Sequence, residues 1–164
     1  MSLDNLQLSY ETCAILFSRN LIDDAKTKPK ANFREKTEIV SLGENKRQVL
    51  FIVNDPAHKF LPDDEMELLT KLVSACKLSI ADIALVNFSS NKSTYHEYIE
   101  QFQPQKILIF GVKNAELELP FDIPYFQVQQ FQQQFYLSAP PFKEFLNNTV
   151  LKKELWTRLQ KLFL

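Results

Sequence analysis

Glycine is the scarcest residue type that matters here: Gly43 and Gly111 are the only two among 164 residues, against roughly 7% in ordinary proteins. Neither GxGxxG nor GxxxxGK[ST] can be written with them, which excludes the common glycine-rich phosphate cradles. Cysteine is as sparse, and Cys13 and Cys76 form no CxxC pair. A structural zinc site or a cysteine-ligated iron–sulfur cluster needs about four ligands, usually in spaced pairs. His58 and His96, the only two histidines, do not make up the shortfall, so no cofactor and no metal is expected. An excess of one charge is missing too. Nineteen Lys and Arg face 20 Asp and Glu, a net charge of −1, which gives no overall attraction to nucleic acid or to an anionic membrane. The apolar runs are strand-sized, as in Val49–Val53, so no membrane span is expected. Met1–Asn5 opens without a basic region or an apolar core, so no signal peptide is expected. These absences imply a cytoplasmic protein with both cysteines reduced and buried.

What is present fits one globular domain. Apolar residues make up 45% of the chain and charged residues 24%, enough to build a core at this length. Residues 1–36 read as an N-terminal segment and a connector, and 37–164 as a single α/β domain. The segment carries Leu3, Leu6, Leu8, Ile15, Leu16 and Phe17, apolar residues that need burial either on the sheet or in another protein. The connector Lys26–Lys36 holds five positive charges and one negative, the composition of a solvated linker or of a phosphate contact.

From residue 48 the elements alternate. Gln48–Val53 is a continuous apolar run closed by Asn54-Asp55-Pro56, the pattern of a strand buried on both faces. Pro62–Glu65 opens a helix whose stripe is Met66, Leu69, Val73 and Cys76. Ala84–Phe88 follows as a strand. Thr94 and Glu97 then fit a capping box for a helix carrying Tyr95, Tyr98, Ile99 and Phe102 inward, stopped by Pro104. Lys106–Gly111 is a third apolar strand. Tyr125–Gln130 and Phe135–Ser138 read as later, less buried strands, and a helix from about Asn148 to Phe163 closes the chain with Leu151, Leu155, Leu159 and Leu162 on one face. Strands alternating with helices predict an α/β three-layer sandwich with a mostly parallel central sheet. Glutamines fill six of the eight positions Gln127–Gln134. Their alternation with Phe126, Val128 and Phe131 predicts an edge strand or hairpin, with Phe126, Phe131 and Phe135 partly exposed as a partner surface.

Candidate chemistry is thin. Asp55 and His58 follow a strand end, where ligands bind in open α/β sheets, and can be written as a general base with its orienting carboxylate. Turn capping by Asp55 and a solvated His58 explain the same residues with less. His96 lies off the helical stripe and reads as a surface residue. Ser89, Ser90 and Asn91 read as a turn, and Asp63, Asp64 and Glu65 as helix-start acids rather than a cation site. Trp156 reads as a structural, core-facing residue of the closing helix.

Val49–Pro56, Phe60–Leu69, Ala75–Phe88 and Ser138–Leu162 together resemble the uracil-DNA glycosylase superfamily. There a strand leads through a Gly-Glu-x-Pro-Gly loop to a helix and then a strand ending in asparagine. The chain of that family closes with a His-Pro-Ser loop and a helix carrying Pro-x-x-Lys-x-x-x-Trp. The resemblance implies a glycosylase-like sandwich with the catalytic groups lost. Asn54 stands for the loop glutamate, Val53 and Ala57 for the loop glycines, and Ser138 near the catalytic histidine. Asn87 matches the asparagine that reads uracil, a position also explained as a turn residue. Asn54, Asp55, Pro56, Asn87 and Ser138 would then be a vestigial strand-end cleft with no catalytic residue and no enzyme activity. The non-catalytic psi-subunit family of bacterial DNA polymerase III is similar in character, sharing Leu146, Lys152 and Leu155-Trp156. That likeness implies a DNA-replication role through a protein partner, in the clamp-loader or single-strand-binding machinery. Leu3, Leu6, Leu8, Ile15, Leu16 and Phe17 would be the partner-binding peptide, and direct nucleic-acid binding would be weak or absent. The alternatives are a degenerate glycosylase relative that holds nucleic acid or a base without efficient cleavage, and an unrelated hydrolase using Asp55 and His58.

Overall fold

Strand-forming, branched and aromatic residues concentrate in short runs, and in the computed structural model, which describes residues 38–164, these runs pair into one sheet. The strands are β1 (Val49–Val53), β2 (Ile83–Asn87), β3 (Lys106–Phe110), β4 (Val128–Phe131) and β5 (Gln134–Ala139), in the order β2-β1-β3-β5-β4. β1, β2, β3 and β5 run parallel, with Phe51 opposite Leu85 and Leu108, and Leu108 opposite Leu137. β4 is antiparallel to β5 and closes the hairpin foreseen in the glutamine-rich stretch.

Because side chains alternate across a strand, the apolar runs feed two cores. On one face Val49, Phe51, Val53, Leu85, Leu108, Phe110 and Leu137 meet the helices α1 (Asp63–Ala75), α3 (Phe142–Leu146) and α4 (Thr149–Phe163). On the other, Leu50, Ile52, Val86, Ile107, Ile109 and Tyr136 meet α2 (Tyr95–Phe102) and the segment carrying Val112, Leu117 and Ile123. The result is a layered α/β sandwich around a mostly parallel sheet.

The helices start and stop where local chemistry dictates. Asp63, Asp64 and Glu65 place negative charge at the positive end of α1, whose buried residues are Glu65, Leu69 and Val73; Met66 is partly buried, and Cys76, just past the helix end, is buried. At α2, Thr94 donates through its backbone N–H (2.7 Å) and hydroxyl (3.3 Å) to Glu97 Oε2. Gln103, left-handed at φ 46°, ends the helix before Pro104. Asn148 Oδ1 caps α4 by accepting from the N–H groups of Val150 (3.1 Å) and Leu151 (3.2 Å).

Three expectations need correction. β5 is an interior strand with Tyr136–Ala139 buried, because β3 flanks it and both layers cover it. Only β4 is half-open, and it starts at Val128 rather than Tyr125. Phe126 is buried, packed edge-on to Phe145 with ring centroids 6.3 Å apart. Its left-handed backbone turns the ring inward just before the strand begins. Phe131 and Phe135 remain half-buried. Trp156 packs on the core only partly buried. Leu3, Leu6, Leu8, Ile15, Leu16, Phe17 and the Lys26–Lys36 connector lie outside the described residues.

Candidate functional site

β1 sends the chain to β2 on one side, and β2 returns it past β1 to β3 on the other. The carboxyl ends of β1 and β3 therefore flank a topological switch point, where open α/β sheets form their crevice. A cleft of about 260 Å³ opens there, bordered by Asn54, Asp55, Pro56, Glu65, Gly111 and Lys143 among others. Gly111 is required by geometry: its φ is +68°, and a Cβ would lie 2.9 Å from the Pro141 side chain.

The loop after β1 is fixed by side chains that read its backbone. Asn87, the last residue of β2, is fully buried. Its Nδ2 donates to the carbonyls of Asp55 (2.6 Å) and His58 (2.7 Å). Its Oδ1 accepts from the N–H groups of Asp55 (3.1 Å) and Ser89 (3.1 Å). Both donors and both lone-pair directions of the amide are thereby engaged by backbone. Asn54 Nδ2 donates to the Gly111 carbonyl at 3.1 Å, and its Oδ1 accepts from the Ser89 hydroxyl. Asn54 and Asn87 thus lace together the ends of β1, β2 and β3.

The charged groups of the cleft split by environment. Asp55 Oδ1 accepts from the Ala57 N–H (2.8 Å), and Oδ2 lies 2.9 Å from His58 Nδ1. Desolvation opposes ionisation of Asp55, but the Ala57 N–H and His58 outweigh it and hold the carboxyl below its ordinary range. Glu65, in the first turn of α1, is only 9% exposed. Burial, reinforced by the Asp55 charge, pushes its carboxyl up, while His58 and Lys143 pull the other way. Two carboxyls pushed apart in this way can divide acid and base roles. Reaction at the cleft needs more. None of its described lining residues carries a hydroxyl or thiol nucleophile, and the Gly111 N–H already donates to the Ala139 carbonyl at 3.1 Å.

Of the residues assigned from sequence to a strand-end cleft, the structure brings Asn54, Asp55 and Pro56 to its rim. Asn87 lies beneath the loop as its anchor, and Ser138 is buried within β5, where its carbonyl accepts from the Phe126 N–H. His96 is exposed with its ring on Tyr95, centroids 4.0 Å apart. No group of His, Cys, Asp and Glu suited to a metal ion occurs among the described residues, and none of their helices is long and apolar enough to cross a membrane. Sequence reasoning missed Glu65 and Lys143 as cleft residues. A signal existed for Glu65, which precedes Leu69 and Val73 at helical spacing and so shares the inward face of α1. No protein-family model matches this sequence, and no curated protein matches it either.

Proposed function

We propose that this chain is a non-catalytic protein-interaction subunit on a scaffold like that of the uracil-DNA glycosylases, comparable to the psi subunit of bacterial DNA polymerase III. One observation carries the reading. The asparagine that would read a base, Asn87, has its whole hydrogen-bonding capacity committed to the backbone of Asp55, His58 and Ser89. A base-reading amide needs free donors and acceptors aimed into a pocket, and this one is buried under the loop. The order of elements adds support: β1, a loop, α1, then β2 ending in Asn87, with Lys152 and Trp156 on the closing helix. So do the residues at the positions that would perform glycosidic cleavage, Asn54 and Ser138. Neither is a carboxylic acid or an imidazole able to manage water and the leaving base at neutral pH.

The direct test incubates purified full chain with a uracil-containing single-stranded oligonucleotide and follows base release. No release is expected. Release that persists on purification and disappears in Asp55→Asn would overturn the reading and make the strand-end cleft a reaction centre.

A further inference from the structure

We propose that the groove between β4 and α4 binds an extended acidic peptide of a partner protein, which adds to the sheet as a further strand. The proposal deepens the interaction reading above and rests on it, naming the surface and the chemistry of the partner.

Among the described residues, β4 is the last strand of the sheet. An unpaired strand edge is a template for another chain, and proteins ordinarily guard it with charge, proline or a bulge. Here Gln127–Gln134 contains neither a charged residue nor a proline. The opposite edge is treated differently: Leu42 bridges β2 through two backbone hydrogen bonds to Leu85, of 2.8 and 2.9 Å.

Beside β4, on the side of α4, lies a groove of about 360 Å³ lined by Gln127, Val128, Phe135, Arg158, Lys161 and Leu162. Register explains the lining. Val128 opposes Leu137, which faces the helical core, so Val128 and Phe135 point to the same side as α4. Val128 nevertheless stays 38% exposed.

Among the described residues the lining has two cations and no carboxylate. Neither Arg158 nor Lys161 forms an ion pair among the described residues. Arg158 lines the groove, and a carboxylate is the acceptor that matches the fork of a guanidinium. The apolar floor of Val128, Phe135 and Leu162 suits side chains on one face of an added strand, while backbone pairing along β4 supplies sequence-independent affinity. An extended segment mixing acidic and apolar residues satisfies all three features. A nucleic acid would answer the cations alone and leave the strand edge unpaired.

The test measures fluorescence anisotropy of a labelled peptide of about eight residues, strand length, alternating aspartate with leucine, against the purified full chain. Saturable binding that weakens with salt is expected. A counterpart with lysine in place of aspartate should not bind. Arg158→Gln combined with Lys161→Gln should weaken binding at least about tenfold with thermal unfolding unchanged. Lys161→Gln alone, at an exposed position, provides a smaller loss of the same sign should the double variant fail to fold. Equal binding of the acidic and basic peptides, or no binding of either, overturns the proposal. So does an oligonucleotide that displaces the acidic peptide, or a dimer in sedimentation that excludes it. These failures would leave the interaction reading standing, since a partner captured through another surface does not depend on this groove.

Discussion

Replacing Asn87 by alanine removes one buried amide and strands four backbone groups: the N–H groups of Asp55 and Ser89 and the carbonyls of Asp55 and His58. A net hydrogen bond contributes about 1 kcal/mol, so the clasp is worth about 4 kcal/mol if all four partners go unsatisfied. Asp55 and His58 lie where water reaches them, with side chains 16% and 51% exposed. Rehydration of the loop then lowers the expected loss to about 3 kcal/mol. The assay is urea unfolding followed by the fluorescence of Trp156, the single tryptophan. The midpoint should fall with an unchanged slope, since the folded state keeps its extent. Asn87→Asp is the informative companion. A carboxylate still accepts from the Asp55 and Ser89 N–H groups, but it cannot donate to the two carbonyls and buries a charge, so it should not restore stability. A loss below about 1 kcal/mol for Asn87→Ala would refute the reasoning. It would mean the loop is held by other contacts and the Asn87 amide is available for a ligand.

Gly43→Ala should destabilise by at least about 2 kcal/mol, because a Cβ there would sit 2.2 Å from the Ile83 carbonyl oxygen at a φ of +99°; thermal unfolding reads this directly. Trp156→Ala should cost about 2 kcal/mol, below the range for a fully buried tryptophan, because the ring is only partly buried; urea unfolding followed by circular dichroism measures it. Glu65 gives a pH signature. Its folded carboxyl binds a proton more tightly than the ordinary 4.5, so the native state holds the extra proton and loses stability as pH rises through that window. Glu65→Gln should therefore be more stable than the parent at neutral pH, with the gap closing as pH falls towards 4.5; a constant gap across pH would assign the effect to packing instead.

The sheet was legible because its strands are apolar on both faces. Val49–Val53 and Lys106–Phe110 leave little alternative to buried parallel strands, and the Thr94–Glu97 box and Asn148 mark helix starts by short-range chemistry. Reading failed where long-range contact overrides local composition. Glutamines around Phe135 suggested an outer strand, yet β5 lies inside because β4 folds over it as the edge. Phe126 looked exposed for the same reason, and Phe145, distant in sequence, covers it. The strand-end rim of Asn54, Asp55 and Pro56 could be placed from strand ends alone. The role of Asn87 could not, because turn residue, base reader and backbone clasp share one residue type and differ only in what lies within 3 Å or so of the amide. Arg158 and Lys161 gave no signal, since charged residues on a terminal helix ordinarily read as solvated surface.

A chain that works by holding another protein should, when tagged and captured from its native cell, bring down clamp-loader or single-strand-binding components in amounts comparable to the bait, measured by quantitative identification of what co-purifies. These components should be retained when Asp55→Asn alters the cleft. Capture that retrieves no such component, while nucleic acid co-purifies in a cleft-dependent and salt-sensitive manner, would contradict the interaction reading.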